Sequence, residues 1–386
     1  MLLLLVACSP TDVIDAGDPS VTDGFDLDAL YSDAADAGWE NVPGQYNVLV
    51  ADGAKDGLLA DLDGELVDEL VIAPVFTARM TFAEAQRLAK HPDVISVEPD
   101  WLAFASARGG SACASSASQT TPAGVSAMGT NSAGRTGSGV AVAVLDTGID
   151  NTHTDLTVAG IVDKTGGRGG GVDDNGHGTH VAGSIAALNN SRGVVGVAPA
   201  ASLYGVKVLD RRGSGSYSTI ASGVDWAVTN GMDVVNMSLG GTSNSATLHA
   251  SITAAYAAGV IQVVAAGNSG VSATREYPAN YDGEVLTVSA WDPATSTFPS
   301  WSNYGVPPVD VAAPGVGVCS TAKGGSYESM DGTSMATPHV AGAVALYLQG
   351  NPGASFATVE AAIEGNVSAL ANTATHSEDL SVVTGL

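Results

Sequence analysis

From residue 140 onward, short apolar runs alternate with longer stretches of helical spacing. Residues 140–145 are six apolar positions in a row, the pattern of a strand buried on both faces. Similar short runs recur at 202–209, 233–239, 260–266 and 285–288. Between and after them, 177–188, 218–229, 246–258 and 333–348 read as helices. Strand–helix alternation of this kind predicts an α/β fold over residues 121–386, a doubly wound parallel sheet with ligands at the carboxyl ends of its strands. No repeat of 20–50 residues interrupts it.

The chain before residue 121 follows another rhythm. Residues 45–105 predict a small α+β unit, with strands at 46–50 and 93–98. A helix is predicted over 81–89, where Thr81 is the N-cap, Glu84 completes a capping box, and Phe82, Ala85, Leu88 and Ala89 share one face. Residues 106–120 are rich in Ala, Ser and Gly without a hydrophobic anchor, which predicts an exposed and easily cut linker. Residues 9–44 hold nine acidic side chains between Thr11 and Glu40 and no Lys or Arg there, which predicts a solvated, self-repelling tether. Residues 1–8 are an apolar opening that ends in Cys8 and is too short for a full secretory signal.

Charge narrows the function classes. With 14 Lys and Arg against 40 Asp and Glu, the net charge is −26, so a nucleic-acid partner is excluded for want of a basic surface. The same charge favours a soluble monomer. Glycine stands at 48 of 386 residues, which predicts many tight turns and close backbone approaches.

Four segments carry candidate chemistry. Asp146 follows the first buried strand, where a carboxylate can orient a histidine or merely serve an Asp-Thr-Gly turn. His177 opens a helix between two glycines, with His180 one turn further on. A zinc pair is the rival reading, but the i, i+4 histidines and glutamate base of a zinc-protease helix are missing, so His180 is read as a packing residue. Ser334 stands at a helix start, as a cap or as a nucleophile facing open backbone N–H groups. Asn268 closes a buried strand, as a turn residue or as an amide donor to a developing oxyanion.

Together, Asp146-Thr147-Gly148, His177-Gly178-Thr179-His180-Val181-Ala182-Gly183, Ala266-Gly267-Asn268 and Gly332-Thr333-Ser334-Met335-Ala336-Thr337-Pro338-His339 resemble the subtilisin-like serine proteases. The resemblance runs from about residue 121 to about residue 350. Residues 208–220 are most similar to the proteinase K branch. The resemblance implies that Asp146 orients His177, that His177 is general base and then general acid, that Ser334 is the nucleophile, and that Asn268 with the Ser334 N–H forms the oxyanion hole. It further implies that Gly213, Ser214 and Gly215 pair with the substrate backbone and that Tyr217 rims a distant apolar pocket. Ser238, Leu239, Gly240 and Gly241, with Ala265, Ala266 and Gly267, wall the primary specificity pocket. No acidic pocket residue is identifiable in the sequence, so the expectation is a broad apolar or aromatic preference rather than one for basic side chains. A peptide-binding relative without activity would be expected to have lost one of the four residues, and none is lost.

The same resemblance makes residues 45–105 an inhibitor-type propeptide closed by the strand at 94–100, so the chain is expected to be a self-processed zymogen cut between about residues 104 and 120. Leu5-Val6-Ala7-Cys8 resembles a bacterial lipoprotein signal, which implies an extracytoplasmic protein, secreted or anchored to the cell envelope through lipid on Cys8. Cys113 and Cys319 are then an even pair, paired or free. Asp310, with the carbonyls of Gly283 and Val285, matches a family position that binds a structural Ca2+, and Asp173 and Asp174 are further candidate ligands. After residue 350 the resemblance weakens, and the end at Leu386 comes sooner than the family leads one to expect.

Overall fold

The computed structural model describes residue 27 and residues 40–105, 107–114, 116–129, 134–369 and 381–383. Cys8 and its apolar opening lie outside the described residues, as does the acidic tether apart from Leu27 and residues 40–44.

The N-terminal unit is built from β1 (Asn41–Val50), α1 (Lys55–Ala60), β2 (Glu65–Glu69), β3 (Val75–Arg79), α2 (Phe82–Leu88) and β4 (Val94–Ala105). Its strands pair antiparallel, with β1 between β3 and β4 and β2 outside β3. Inward residues Tyr46, Val48, Val50, Phe76, Ala78 and Val97 bury a core with Leu58 and Ala85 of the two helices. The capping box forms as the sequence predicts, Thr81 accepting the Glu84 N–H while Glu84 accepts the Thr81 N–H. Two expectations shift: β1 begins at Asn41, inside the stretch read as tether, and Leu27 from that stretch is buried in this core. An apolar side chain with a hydrophobic surface within reach buries itself whatever the charge of its neighbours.

The main domain carries a seven-stranded sheet in the order β14-β13-β12-β10-β6-β8-β7, parallel at every pairing. These strands are β6 (Ala141–Asp146), β7 (Val158–Asp163), β8 (Ser202–Lys207), β10 (Val234–Met237), β12 (Ile261–Ala265), β13 (Leu286–Trp291) and β14 (Val311–Pro314). Alternate residues serve opposite faces. Val142, Val144, Val234 and Val263 pack with Val181, Ile185, Met335 and Val340. Ala143, Leu145, Val235 and Val264 pack with Ile220, Val224, Leu248 and Ile252. After the short α3 (Ala123–Ala127), helices therefore cover both faces: α4 (His177–Ala186) and α7 (Thr333–Gly350) on one, α5 (Tyr217–Thr229) and α6 (Ala246–Ala257) on the other. The doubly wound α/β expectation holds.

The two units share a sheet. β4 continues past its own domain and pairs antiparallel with β9 (Ser214–Ser216) and β11 (Leu239–Gly240). Two carboxylates beside it cap the helices underneath. Asp100 accepts the Ser218 N–H and hydroxyl at the start of α5 (2.9 and 2.6 Å), and also Gln45 and Asn47. Glu98 accepts the Ala246 and Thr247 N–H groups and the Ser245 hydroxyl at the start of α6. The open N–H groups and positive end of a helix favour a negative charge at that place.

The segment expected to be a loose linker is ordered differently. Residues 108–112 form β5 (Arg108–Ala112), which adds antiparallel to β16 (Ser326–Asp331) beside β15 (Val318–Ala322). Cys113 and Cys319 form a disulfide across this small sheet, with Cα atoms 5.8 Å apart. Main-chain pairing needs no large side chains, so an Ala/Ser/Gly-rich strand can form wherever an edge is open to receive it.

Candidate active site

Asp146 ends β6 at the sheet's carboxyl edge, fully buried. His177 is the first residue of α4, which enters directly beside it. Two glycines allow this approach: Gly148 has φ +102°, and a Cβ on Gly178 would fall onto the Gly148 carbonyl oxygen. His177 Nδ1 lies 2.8 and 2.9 Å from the two Asp146 carboxylate oxygens. The Thr147 N–H also donates to Asp146 (2.7 Å). Burial alone would push the imidazole down, but the Asp146 charge and hydrogen bond, with Asp173 beyond, outweigh it and hold His177 above its ordinary value.

Asp173 is not left to bind a metal. Its oxygens accept from the N–H groups of Asn175, Gly176 and Thr179 and from the hydroxyls of Thr147 and Thr179, so it clamps the first turn of α4. Asp174 pairs with buried Lys207 (2.7 Å), whose ammonium also donates to the Thr147 and Leu209 carbonyls. The reading of Asp173 as a candidate ligand is therefore corrected, because internal donors take both its oxygens, whereas Asp174 stays half exposed beside the Lys207 ammonium. His180 is a packing residue as expected. Its Nε2 meets the Val318 and Glu328 carbonyls (3.0 Å each), and burial pushes its pKa down to about 3.

Ser334 is the second residue of α7, at the positive end of an 18-residue helix. Its hydroxyl donates to the Ser238 carbonyl (3.1 Å), and the Ser238 hydroxyl returns a bond to the Ser334 carbonyl (2.9 Å). Among the described residues, His177 Nε2 is buried without a hydrogen-bond partner. Asn268 Oδ1 accepts the Thr333 N–H (2.8 Å), which can only donate, so the amide's orientation is fixed with its N–H2 end as donor. Thr333 Oγ1 adds a second bond to Oδ1 (3.1 Å) and accepts the Gly267 N–H (3.2 Å).

Asn268 and Ser334 line one cleft of about 250 Å3 with Leu239, Gly240, Gly241, Ala265 and Gly267. Leu102 and Phe104 of β4 close its mouth. Gly213, Ser214 and Gly215 pair with β4: Phe104 faces Ser214, Ala103 faces Gly215, and the Ala105 N–H donates to the Gly213 carbonyl (2.8 Å). Two substrate-side expectations change. Ala266 is fully buried behind the wall, its carbonyl taken by Asn303 (2.8 Å). Ser238 is buried beside Ser334 rather than lining the cleft. Tyr217 is fully buried in one cluster with Trp101 and Ala103 of β4, which lies over it.

The sequence reading missed Glu276. Its carboxyl lines the cleft between Gly240 and Gly267, where a methyl on Gly267 would lie 3.0 Å from Oε2. Burial pushes its pKa up to about 7. The cleft therefore holds an acidic residue that was not identifiable in the sequence. Glu276 stands outside the four segments, in the loop after Asn268, and its local pattern carried no signal.

For Ca2+, Asp310 offers a carboxyl that burial holds well above its ordinary range, with Glu360, Asp282 and Glu364 adding negative charge around it. Asp310 Oδ2 accepts the Thr287 N–H (2.6 Å), in the strand that follows Val285. A hard cation with oxygen ligands fits this surplus of negative charge. Among the described residues no three His, Cys, Asp or Glu side chains cluster to hold a metal, so Gly283 and Val285 would have to supply carbonyls.

A buried carboxylate on a histidine, a serine at a helix start and a fixed amide donor beside it define a serine hydrolase with an oxyanion hole. Residues 137–381 match the peptidase S8 subtilase family, and the chain belongs to that family and is a serine protease. It is 47% identical over 287 residues to a thermostable alkaline protease of Halalkalibacterium halodurans, covering 74% of this chain and 75% of that protein. It is 50% identical over 258 residues to subtilisin Savinase of Lederbergia lenta, covering 66% of this chain and 94% of that protein. A crystal structure of a cold adapted subtilisin-like serine proteinase superposes with a TM-score of 0.58 at 36% identity, over 65% of this chain and 88% of the other. These relatives bear out the family and do not single out the proteinase K branch.

Proposed function

We propose that the chain is the zymogen of an extracytoplasmic, monomeric serine endopeptidase that cuts itself between Ala105 and Ala107 and then cleaves other proteins. The observation that carries this reading is the path of the chain. β4 lies along Gly213–Gly215 and Leu239–Gly240 up to Ala105, and Ala107 lines a cavity with His177. The residues on either side of this point thus lie in the cleft of the nucleophile and in the cavity of the base, as the two sides of a substrate would.

In the proposed reaction, His177 Nε2 takes the Ser334 hydroxyl proton as Ser334 Oγ attacks the peptide carbonyl. Asp146 keeps the Nδ1 proton in place and stabilises the cation that forms. The Ser334 N–H and Asn268 amide bind the oxyanion. His177 then gives its proton to the leaving amine, and water, activated by the same imidazole, releases the acid from Ser334. The raised His177 pKa suits it to hold the proton between the two steps.

The preference we propose remains broad and apolar or aromatic, with Glu276 adding tolerance of Lys and Arg as it ionises. Residues 45–105 act as an intramolecular inhibitor through β4. Ca2+ held by Asp310 with the Gly283 and Val285 carbonyls would add stability without entering the reaction. The Cys113–Cys319 bond supports an oxidising compartment, secreted or lipid-anchored through Cys8. Among the described residues no helix is long and apolar enough to cross a membrane.

The test is Ser334→Ala, purified without other proteases. The full-length mass is expected to persist and turnover to fall by several orders of magnitude. A mutant that matured to the same fragment would refute self-processing.

A further inference from the structure

The disulfide changes what a cut near residue 106 can release. We propose that the new N-terminal strand of the mature enzyme, residues 107–112, stays bound on the leaving-group side of its own cleft, held there by the Cys113–Cys319 bond, and competes with protein substrates for that half of the site. The inference rests on the self-processing reading above.

β5 occupies a defined place. Its residues face β16 in antiparallel register, Arg108 opposite Asp331, Gly109 opposite Met330, Ser111 opposite Ser329 and Ala112 opposite Glu328. β16 runs straight into α7, and Asp331 stands three residues before Ser334. Ala107 and Gly109 line one cavity with His177, Asn175 and Met330. β5 therefore lies where the residues after a scissile bond must lie, just as β4 lies where those before it must.

The two halves differ in how they are held. Once cut, β4 belongs to a separate chain that is bound only by non-covalent contacts. β5 does not. Cys113 follows it directly, its N–H donating to the Tyr327 carbonyl (3.3 Å), and its sulfur is bonded to Cys319, which itself faces Ser329 across the β15–β16 pair. The anchor is thus on the strand that neighbours the one β5 adds to. Six residues, 107–112, span at most about 20 Å when fully extended, so the freed end stays within that reach of its anchor. A tether of this length sets an effective concentration on the order of millimolar, which an incoming chain must outcompete. Without the bond the next hold is at Gln119 and Thr120, whose N–H groups donate to the Ser191 and Gly193 carbonyls, so the tether is about twice as long.

Two substrates separate this from a general effect on the enzyme. A short acyl-peptide anilide needs only the half of the cleft that β4 vacates, and a long peptide with several residues after the scissile bond needs both halves. The matured full-chain product is compared with that of the double variant Cys113→Ser/Cys319→Ser. The variant is expected to gain about threefold in kcat/KM on the long peptide while its kcat/KM on the anilide is unchanged, so the ratio of the two moves. Should the variant fold poorly, the native enzyme treated with a phosphine reductant, with the bond state read by intact mass, is expected to show the same change in ratio.

An unchanged ratio in both experiments overturns the proposal. Intact mass also tells its failure from that of the reading beneath it. A mature chain that begins beyond Cys113 has lost the strand and overturns the proposal while leaving the protease reading intact. A chain that is never cut overturns both.

Discussion

Glu276 places a titrating carboxyl in the cleft beside Ser334, and its expected consequence for substrate choice can be worked out in advance. Burial raises its pKa from 4.5 to about 7. The carboxyl is then roughly one-tenth ionised at pH 6 and nine-tenths at pH 8, since each pH unit away from the pKa changes the ratio of forms tenfold. A substrate with Lys before the scissile bond gains an ion pair only from the ionised form, whereas one with Phe gains nothing from it. The ratio of kcat/KM for Lys over Phe is therefore expected to rise about tenfold, or about 1.4 kcal/mol, from pH 6 to pH 8. Measuring the ratio cancels the titration of His177, which both substrates share. The stability of the folded chain has the opposite slope. The folded pKa is raised, so the contribution of Glu276 is fully present below pH 4.5 and is lost as pH rises through about 7. The assay uses two anilides that differ only in that residue, across the pH range, in the native enzyme and in Glu276→Gln, which is close in size and cannot ionise. A flat ratio in the native enzyme, or an equal rise in Glu276→Gln, would refute the assignment.

Two further perturbations follow from the hydrogen bonds. Thr333→Val keeps the shape but removes the hydroxyl that holds Asn268 and the Gly267 N–H. Removing an oxyanion donor outright typically costs roughly a hundredfold or more, so loosening one is expected to lower kcat about tenfold with KM nearly unchanged, read on the anilide. Asp100→Ala strips the cap from α5 and leaves Gln45 and Asn47 facing an empty site. At a cost of about 2 kcal/mol the cut propeptide should bind its enzyme roughly thirtyfold more weakly, measured as its dissociation constant at neutral pH. An unchanged constant would mean that β4 pairing alone holds the complex.

The line between what the chain shows directly and what folding decides is sharp here. The strands at 140–145 and 260–266 were legible because burial on both faces of a parallel sheet demands uninterrupted apolar runs. β7 was not, since its residues 158–163 are mixed and only partly buried at the sheet edge. β5 was invisible for the opposite reason: Arg-Gly-Gly-Ser-Ala has no pattern of its own and is a strand only because β16 offers an edge.

Asp146, His177, Asn268 and Ser334 each sit in a short motif, because a strand end or a helix start positions each one locally. Sequence by itself thus determined the fold class and the family and pointed to the four candidate groups, all of which depend on local backbone. Only the tertiary structure decided that Asp173 clamps a helix rather than awaiting a metal, that Glu276 reaches the cleft, and that Cys113 lies 5.8 Å from Cys319 across 206 residues. Those facts rest on distances between parts of the chain that no local pattern constrains, and they decide how the cleft is occupied, charged and tethered.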